Sequence, residues 1–229
     1  MSSTIRAARK AGLLYFVFAV FGVIREFVLP DVLVRGDAAA TARNLLAGES
    51  TYRLTVLAGM LTLVLFVYLV ASLHRLFRGV DETQSLRMVL LVAVGVTISF
   101  ANVLNEFVPL LLLKGADYLS VFTREQLEAL SLTALRLHGT GGTIASVFWG
   151  LWLFPFGTLV IKSGYFPRAF GVLLWIAGAA YVATSVTTIA FPDYRAMVNR
   201  VAFPLYFGEL PIIFALLHGG TRRPVERPA

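Results

Sequence analysis

Four ionisable side chains, Arg25, Glu26, Glu106 and Glu209, stand inside stretches that are otherwise apolar. A charge in hydrocarbon is costly unless a partner meets it, so such groups are the first place to expect binding or proton chemistry. The three Glu residues share a local pattern: R-E-F-V-L-P at 25–30, N-E-F-V-P at 105–109 and G-E-L-P at 208–211 each set a proline two to four residues after the carboxylate. A helical proline removes the hydrogen bond to the carbonyl four residues before it, which would release the carbonyls of Glu26, Asn105 and Phe207. A carboxylate beside an unpaired carbonyl oxygen is the donor set that a hard cation, a hydronium or an ammonium group takes. Prolines also mark the ends of membrane helices, and that plainer reading stands beside the first. Arg25 and Glu26 are adjacent and would project about 100° apart on a helix, so Arg25 is expected to look to Glu106 or Glu209. One Arg cannot neutralise three carboxylates, and at least one Glu should hold a proton or await an incoming cation.

Positioning these groups requires helices in a lipid solvent. The 229 residues are 58% hydrophobic and only 14% charged, against about 25% in soluble domains, and so little polar surface cannot cover a soluble core. A bilayer core of about 30 Å takes about 20 apolar helical residues. Six runs meet that length: 11–30, 54–73, 88–113, 138–161, 169–191 and 201–218. The expected fold is all-α, a polytopic membrane protein of six transmembrane helices in one bundle and a single domain over 1–229. The Pro-rich tail at 219–229 is expected to be mobile.

Charge placement sets the orientation. The N-terminus, 74–87, 162–168 and the tail hold eleven Lys and Arg against three acids, whereas 31–53, 114–137 and 192–200 hold eight against seven. By the positive-inside rule both termini are expected to be cytoplasmic. The net charge of +7 then reads as an orientation signal and a contact for anionic lipid head groups on the cytoplasmic side; the expected partner is the lipid bilayer, and nucleic acid is not needed.

A rise of ~1.5 Å per residue puts Glu26 about 22 Å and Glu106 about 27 Å from the cytoplasmic ends of their spans, and Glu209 about 12 Å below the outer boundary. His138 opens its span at that boundary. All fall in the outer half, so Arg25, Glu26, Glu106, Glu209 and His138, with Asn102 and Asn105 as neutral partners, are expected to form one ligand-binding pocket reached from outside.

Local signals fill in the connections. Asp37 should cap a short helix ending at Ala47 with Gly48 as its stop, and Thr123 with Gln126 forms a capping box for a helix that runs towards the fourth span. Gly142, Ser146 and Gly150 recur at intervals of four, a small-residue ridge for close helix packing, with Ala179 and Ala183 as a second ridge. Trp149, Trp152 and Trp175 read as packing bulk.

Several chemistries are excluded. The chain has no cysteine, which removes disulfides, thiolate nucleophiles and Cys-ligated metals. It has no G-x-S-x-G, P-loop or G-x-G-x-x-G, and no Lys lies mid-span to hold retinal. H-E-x-x-H and E-x-x-H are missing, and His74 and His218 sit at span ends, poorly placed for haem. No cofactor and no metal are expected.

The segments A-R-K-A-G-L-L-Y at 8–15, G-D-A-A-A-T-A-R-N-L-L at 36–46, L-H-G at 137–139, S-G-Y-F-P-R-A-F-G-V-L-L at 163–174 and G-E-L at 208–210 together resemble the bacterial multi-pass family known as domain of unknown function 4386. The resemblance runs nearly end to end. It implies a six-helix protein of the bacterial cytoplasmic membrane with no established activity, in which His138 and Glu209 fall in family motifs.

Three functions follow from these residues. The first is a binding or transport module whose outward-facing acidic pocket takes a cation, a proton or a small cationic or lipid-like ligand. The second is an intramembrane metal-dependent hydrolase or lipid-modifying enzyme with His138 and the Glu residues as ligands. The third is a structural subunit, paired with a second copy or a larger membrane complex, whose ionic groups only lock helices.

Overall fold

The computed structural model describes residues 3–24 and 32–220. Over those residues the chain is helical, with no strand among them. The helices run in the order α1 (Ser3–Val23), α2 (Ala38–Ala47), α3 (Glu49–Phe77), α4 (Glu82–Leu113), α5 (Arg124–Leu151), α6 (Leu153–Ser163), α7 (Arg168–Ala190), α8 (Arg195–Tyr206) and α9 (Leu210–His218). Single 3₁₀ turns at Asp117–Leu119, Pro192–Tyr194 and Phe207–Glu209 link them.

Five segments are long and apolar enough to cross a bilayer: Glu49–Phe77, Glu82–Leu113, Arg124–Ser163, Arg168–Ala190 and Pro192–His218. The protein is therefore a multi-pass membrane protein. These segments account for the expected runs from 54–73 to 201–218. The first expected run, 11–30, is not among the five. Its described part is α1, and any membrane-length stretch of α1 takes in Arg6, Arg9 and Lys10; residues 25–30 lie outside the described residues. Of the expected mobile tail, Gly219 and Gly220 close α9 in the left-handed region, and the rest lies outside the described residues.

Local chemistry fixes the helix ends. Asp37 Oδ1 accepts the Ala40 amide at 2.8 Å, and the Gly48 amide donates back to Asn44, so α2 starts and stops where its caps require. Thr123 and Gln126 bond reciprocally, Gln126 Oε1 taking the Thr123 amide at 2.8 Å and Thr123 Oγ1 the Gln126 amide at 3.3 Å. Pro155 has no amide to give the carbonyl of Leu151, and the boundary between α5 and α6 falls there. Gly164 ends α6 with φ of +68°, and Pro167 stands at the N-cap of α7.

The chain forms two compact units. One comprises Met1–Ala19, Val64–Thr97 and Thr143–Ala229; the other comprises Val20–Leu63 and Ile98–Gly142. In the first, an aromatic core gathers on Tyr15 and Trp152, both nearly inaccessible. Phe18 stacks on Phe66 at 4.8 Å between centroids, Phe66 on Trp149 at 5.1 Å, and Trp152 lies flat on Phe156 at 5.3 Å. Outside the spans, Lys162 Nζ reaches Asp81 Oδ2 at 2.7 Å, and that hydrogen bond holds the Asp81 carboxyl below its ordinary range. In the second unit, Leu45 of α2 packs with Tyr52, Val56, Val103, Leu110 and Leu113 of α3 and α4.

Helix α7 meets α5 and α6 through facing glycines. A Cβ on Gly150 would lie 2.6 Å from the Gly178 carbonyl oxygen and one on Gly178 2.7 Å from that of Gly150; Gly157 and Gly171 repeat the arrangement at 2.6 and 2.5 Å. Two reciprocal pairs seven residues apart on antiparallel helices let the backbones touch, the packing available where lipid is as apolar as Leu. The expected ridge is thus correct at Gly150 and not at Gly142. A Cβ on Gly142 meets nothing within 4 Å, and Gly171 and Gly178, rather than Ala179 and Ala183, face Gly157 and Gly150. We expect Gly157→Ala to destabilise the detergent-solubilised protein by about 1–3 kcal/mol, the cost of overpacking. Gly142→Ala should leave the thermal midpoint unchanged or raise it.

Candidate functional site

Among the described residues the expected site residues fall into two groups, one in each unit. In the second unit, α4 and α5 carry Asn102, Asn105, Glu106 and His138. Glu106 is 6% exposed, and His138 Nε2 lies 3.6 Å from its Oε1, with the His138 side chain 27% exposed. The two helices are tied beside this pair. Asn102 Nδ2 donates to the His138 carbonyl at 2.8 Å, and His138 Nδ1 faces the Asn102 carbonyl at 3.3 Å. Carbonyls only accept, so this geometry selects the tautomer with a proton on Nδ1 and leaves Nε2 as the atom facing Glu106. Asn105 Nδ2 donates to Asn102 Oδ1 at 3.0 Å and orients that amide. The approach of α5 depends on Gly141, because a Cβ there would collide with the Asn102 side chain.

Tyr52 of α3 adds a group that the sequence reading missed. Its hydroxyl donates to the Glu106 carbonyl at 2.8 Å. Proline at 109 lies within α4 without ending it, and a phenol from another helix holds the backbone one residue beyond the expected carbonyl of Asn105.

Glu209 belongs to the first unit, where the phenols of Tyr15 and Tyr181 both hydrogen-bond its carboxylate. Tyr181 stacks on Tyr206 with centroids 4.3 Å apart, and the Tyr206 hydroxyl pairs with Thr184 Oγ1 at 2.8 Å. The cluster comes from α1, α7 and the chain leading into α9. The expected release of the Phe207 carbonyl does not occur: the segment tightens into a 3₁₀ turn in which the Leu210 amide donates to that oxygen. Tyr15 and Tyr181 were invisible to a search for charge in apolar runs, since a phenol passes for hydrophobic bulk until its hydroxyl has an acceptor.

Arg25 and Glu26 lie outside the described residues. Among the described residues, no three His, Cys, Asp or Glu side chains come together as a metal-binding group. His74 is occupied by Ser85, Nδ1 to Oγ at 2.8 Å, and His218 by the Phe214 carbonyl at 2.8 Å. Each cluster places a carboxylate against a side-chain partner from another helix.

Comparison with known proteins agrees with this architecture and adds no activity. No solved structure matches the chain. A protein of Archaeoglobus fulgidus carrying the name "Uncharacterized protein" is 32% identical over 105 residues, which is 46% of this chain and 60% of that relative. The chain thus matches under two thirds of the relative's length. The model of the family described as domain of unknown function DUF4386 matches residues 10–220. Its extent takes in both carboxylate clusters and every membrane-length helix, and the chain belongs to that family.

Proposed function

We propose that this protein is a binding or transport module of the cell membrane in which Glu106, facing an imidazole of His138 whose helix Asn102 and Asn105 tie in place, takes up a proton or a small cation. One observation supports this above the others: a carboxylate 6% exposed on a membrane-length helix faces an imidazole nitrogen at 3.6 Å, and that imidazole is itself 27% exposed. The imidazole gives the buried group a partly exposed neighbour, and so a route to the surface. Arg25 and Glu26, expected at the same depth, lie outside the described residues, and Glu209 belongs to the first unit. The protein has six spans on this reading, α1 being the first. Both termini lie on the cytoplasmic side, where basic loops contact anionic head groups.

A second reading is favoured by the internal bonding of both carboxylates. Glu106 with His138, and Glu209 with Tyr15 and Tyr181, are also the arrangement of polar groups that lock helices in lipid, as in a structural subunit bound to a second copy or a membrane complex.

Thermal unfolding of the purified protein in detergent, across pH and a panel of sodium, potassium, ammonium and methylammonium, separates the readings. Binding predicts a midpoint that shifts by several degrees with pH or one cation in the wild type and not in Glu106→Gln. A wild-type midpoint indifferent to the whole panel would leave the locking reading. The absence of native cysteine makes topology directly measurable with single introduced thiols. In intact cells, a Cys at Ser120 should react with a membrane-impermeant maleimide and one at Gly79 should not; the reverse pattern would invert the orientation.

A further inference from the structure

We infer that the second unit binds an anionic phospholipid in a cleft at the end of α4, on the face opposite the basic loops. The cleft has a volume of about 310 Å³. Its walls are Phe107, Leu110 and Leu111 of α4, Arg53 of α3, Lys114, and then Ala116 and Tyr118 beyond the helix. Gly115, with φ of +72°, ends α4 in the left-handed region and turns the chain so that Ala116 and Tyr118 close one side.

The charges in the cleft do not balance. Glu49 Oε1 accepts from both Arg53 Nε and Lys114 Nζ, each at 2.8 Å. One carboxylate between two cations leaves a net positive charge. The side chains of Arg53 and Lys114 remain 48% and 52% exposed. Arg53 reaches Glu49 through Nε alone in that pair, and a guanidinium has four further N–H donors in a planar fork that suits a phosphate. Glu49 therefore positions the two cations as a preset anion cradle.

The remaining lining identifies the anion as a lipid. Phe107 and Leu111 extend the cleft down α4, and Leu111 is 60% exposed, as a side chain facing acyl chains would be. Tyr118, 71% exposed, is the amphipathic aromatic found where head groups meet hydrocarbon. Arg53 and Lys114 stand at the start and the end of two membrane-length helices, the level of the phosphates. A cationic rim above an apolar channel fits a diacyl phosphate ester with its head group on Arg53 and Lys114 and one chain along Leu111. A free phosphate would use only the rim.

The test measures thermal stabilisation of the full chain in detergent by added dioleoyl phosphatidylglycerol, dioleoyl phosphatidylcholine and inorganic phosphate. Phosphatidylglycerol should raise the midpoint by several degrees, with phosphatidylcholine and millimolar phosphate giving little. The double variant R53Q/K114Q should weaken the apparent phosphatidylglycerol affinity by about tenfold or more, the loss expected with charge-assisted hydrogen bonds. Ala116→Trp fills the cleft without altering a charge and should weaken it likewise, which covers the case of a misfolded double variant. Equal stabilisation by inorganic phosphate would reduce the site to a simple anion site and overturn the lipid assignment. Phosphatidylglycerol binding unchanged in both variants would remove the cleft as its location.

Discussion

A carboxylate inside a helix that crosses a bilayer must be met by donors from its own protein, because lipid supplies none. This constraint orders the structure. Glu106 meets it with the His138 imidazole, whose helix the Asn102 amide ties to α4. Glu209 meets it with two phenols. The first arrangement joins a carboxylate to an imidazole that is 27% exposed. The second joins a carboxylate to two phenols carried by α1 and α7. The two sites thus differ in the partner that meets the carboxylate.

Such side-chain geometry depends on backbones that come close. Facing glycines at 150 and 178, and at 157 and 171, bring α7 onto α5 and α6 in the first unit. In the second unit Gly141 leaves the space that the Asn102 amide occupies, so the bond from Asn102 to the His138 carbonyl exists because residue 141 has no side chain. Close packing and polar chemistry are one design at that point: a methyl group there would displace the amide that ties α4 to the His138 carbonyl.

Much of the helical plan was legible in the amino-acid sequence, because apolar length and capping chemistry are local. Asp37, Gly48, Thr123, Gln126, Gly164 and Pro167 each do what their types imply. The site was legible only as far as charge stands out in an apolar run. Glu106 and Glu209 stand out that way, whereas His138, Asn102 and Asn105 enter only through their depth in the spans. Tyr15, Tyr52 and Tyr181 were not legible, since their role comes from contacts made across long separations in the chain. The proline argument failed at Phe207 for a related reason: a freed carbonyl is recaptured if the backbone can tighten into a 3₁₀ turn, and the residue pattern does not reveal that option.

The central claim is that Glu106, facing His138, is the group that takes up a proton or a small cation. Infrared difference spectroscopy of the protein in lipid, stepping the pH from alkaline to acid, reads this most directly. A component of the protonated-carboxyl stretching band that is present in the wild type, missing in Glu106→Gln and moved in His138→Gln is the predicted result. Difference spectra of wild type and Glu106→Gln that coincide at every pH would contradict it.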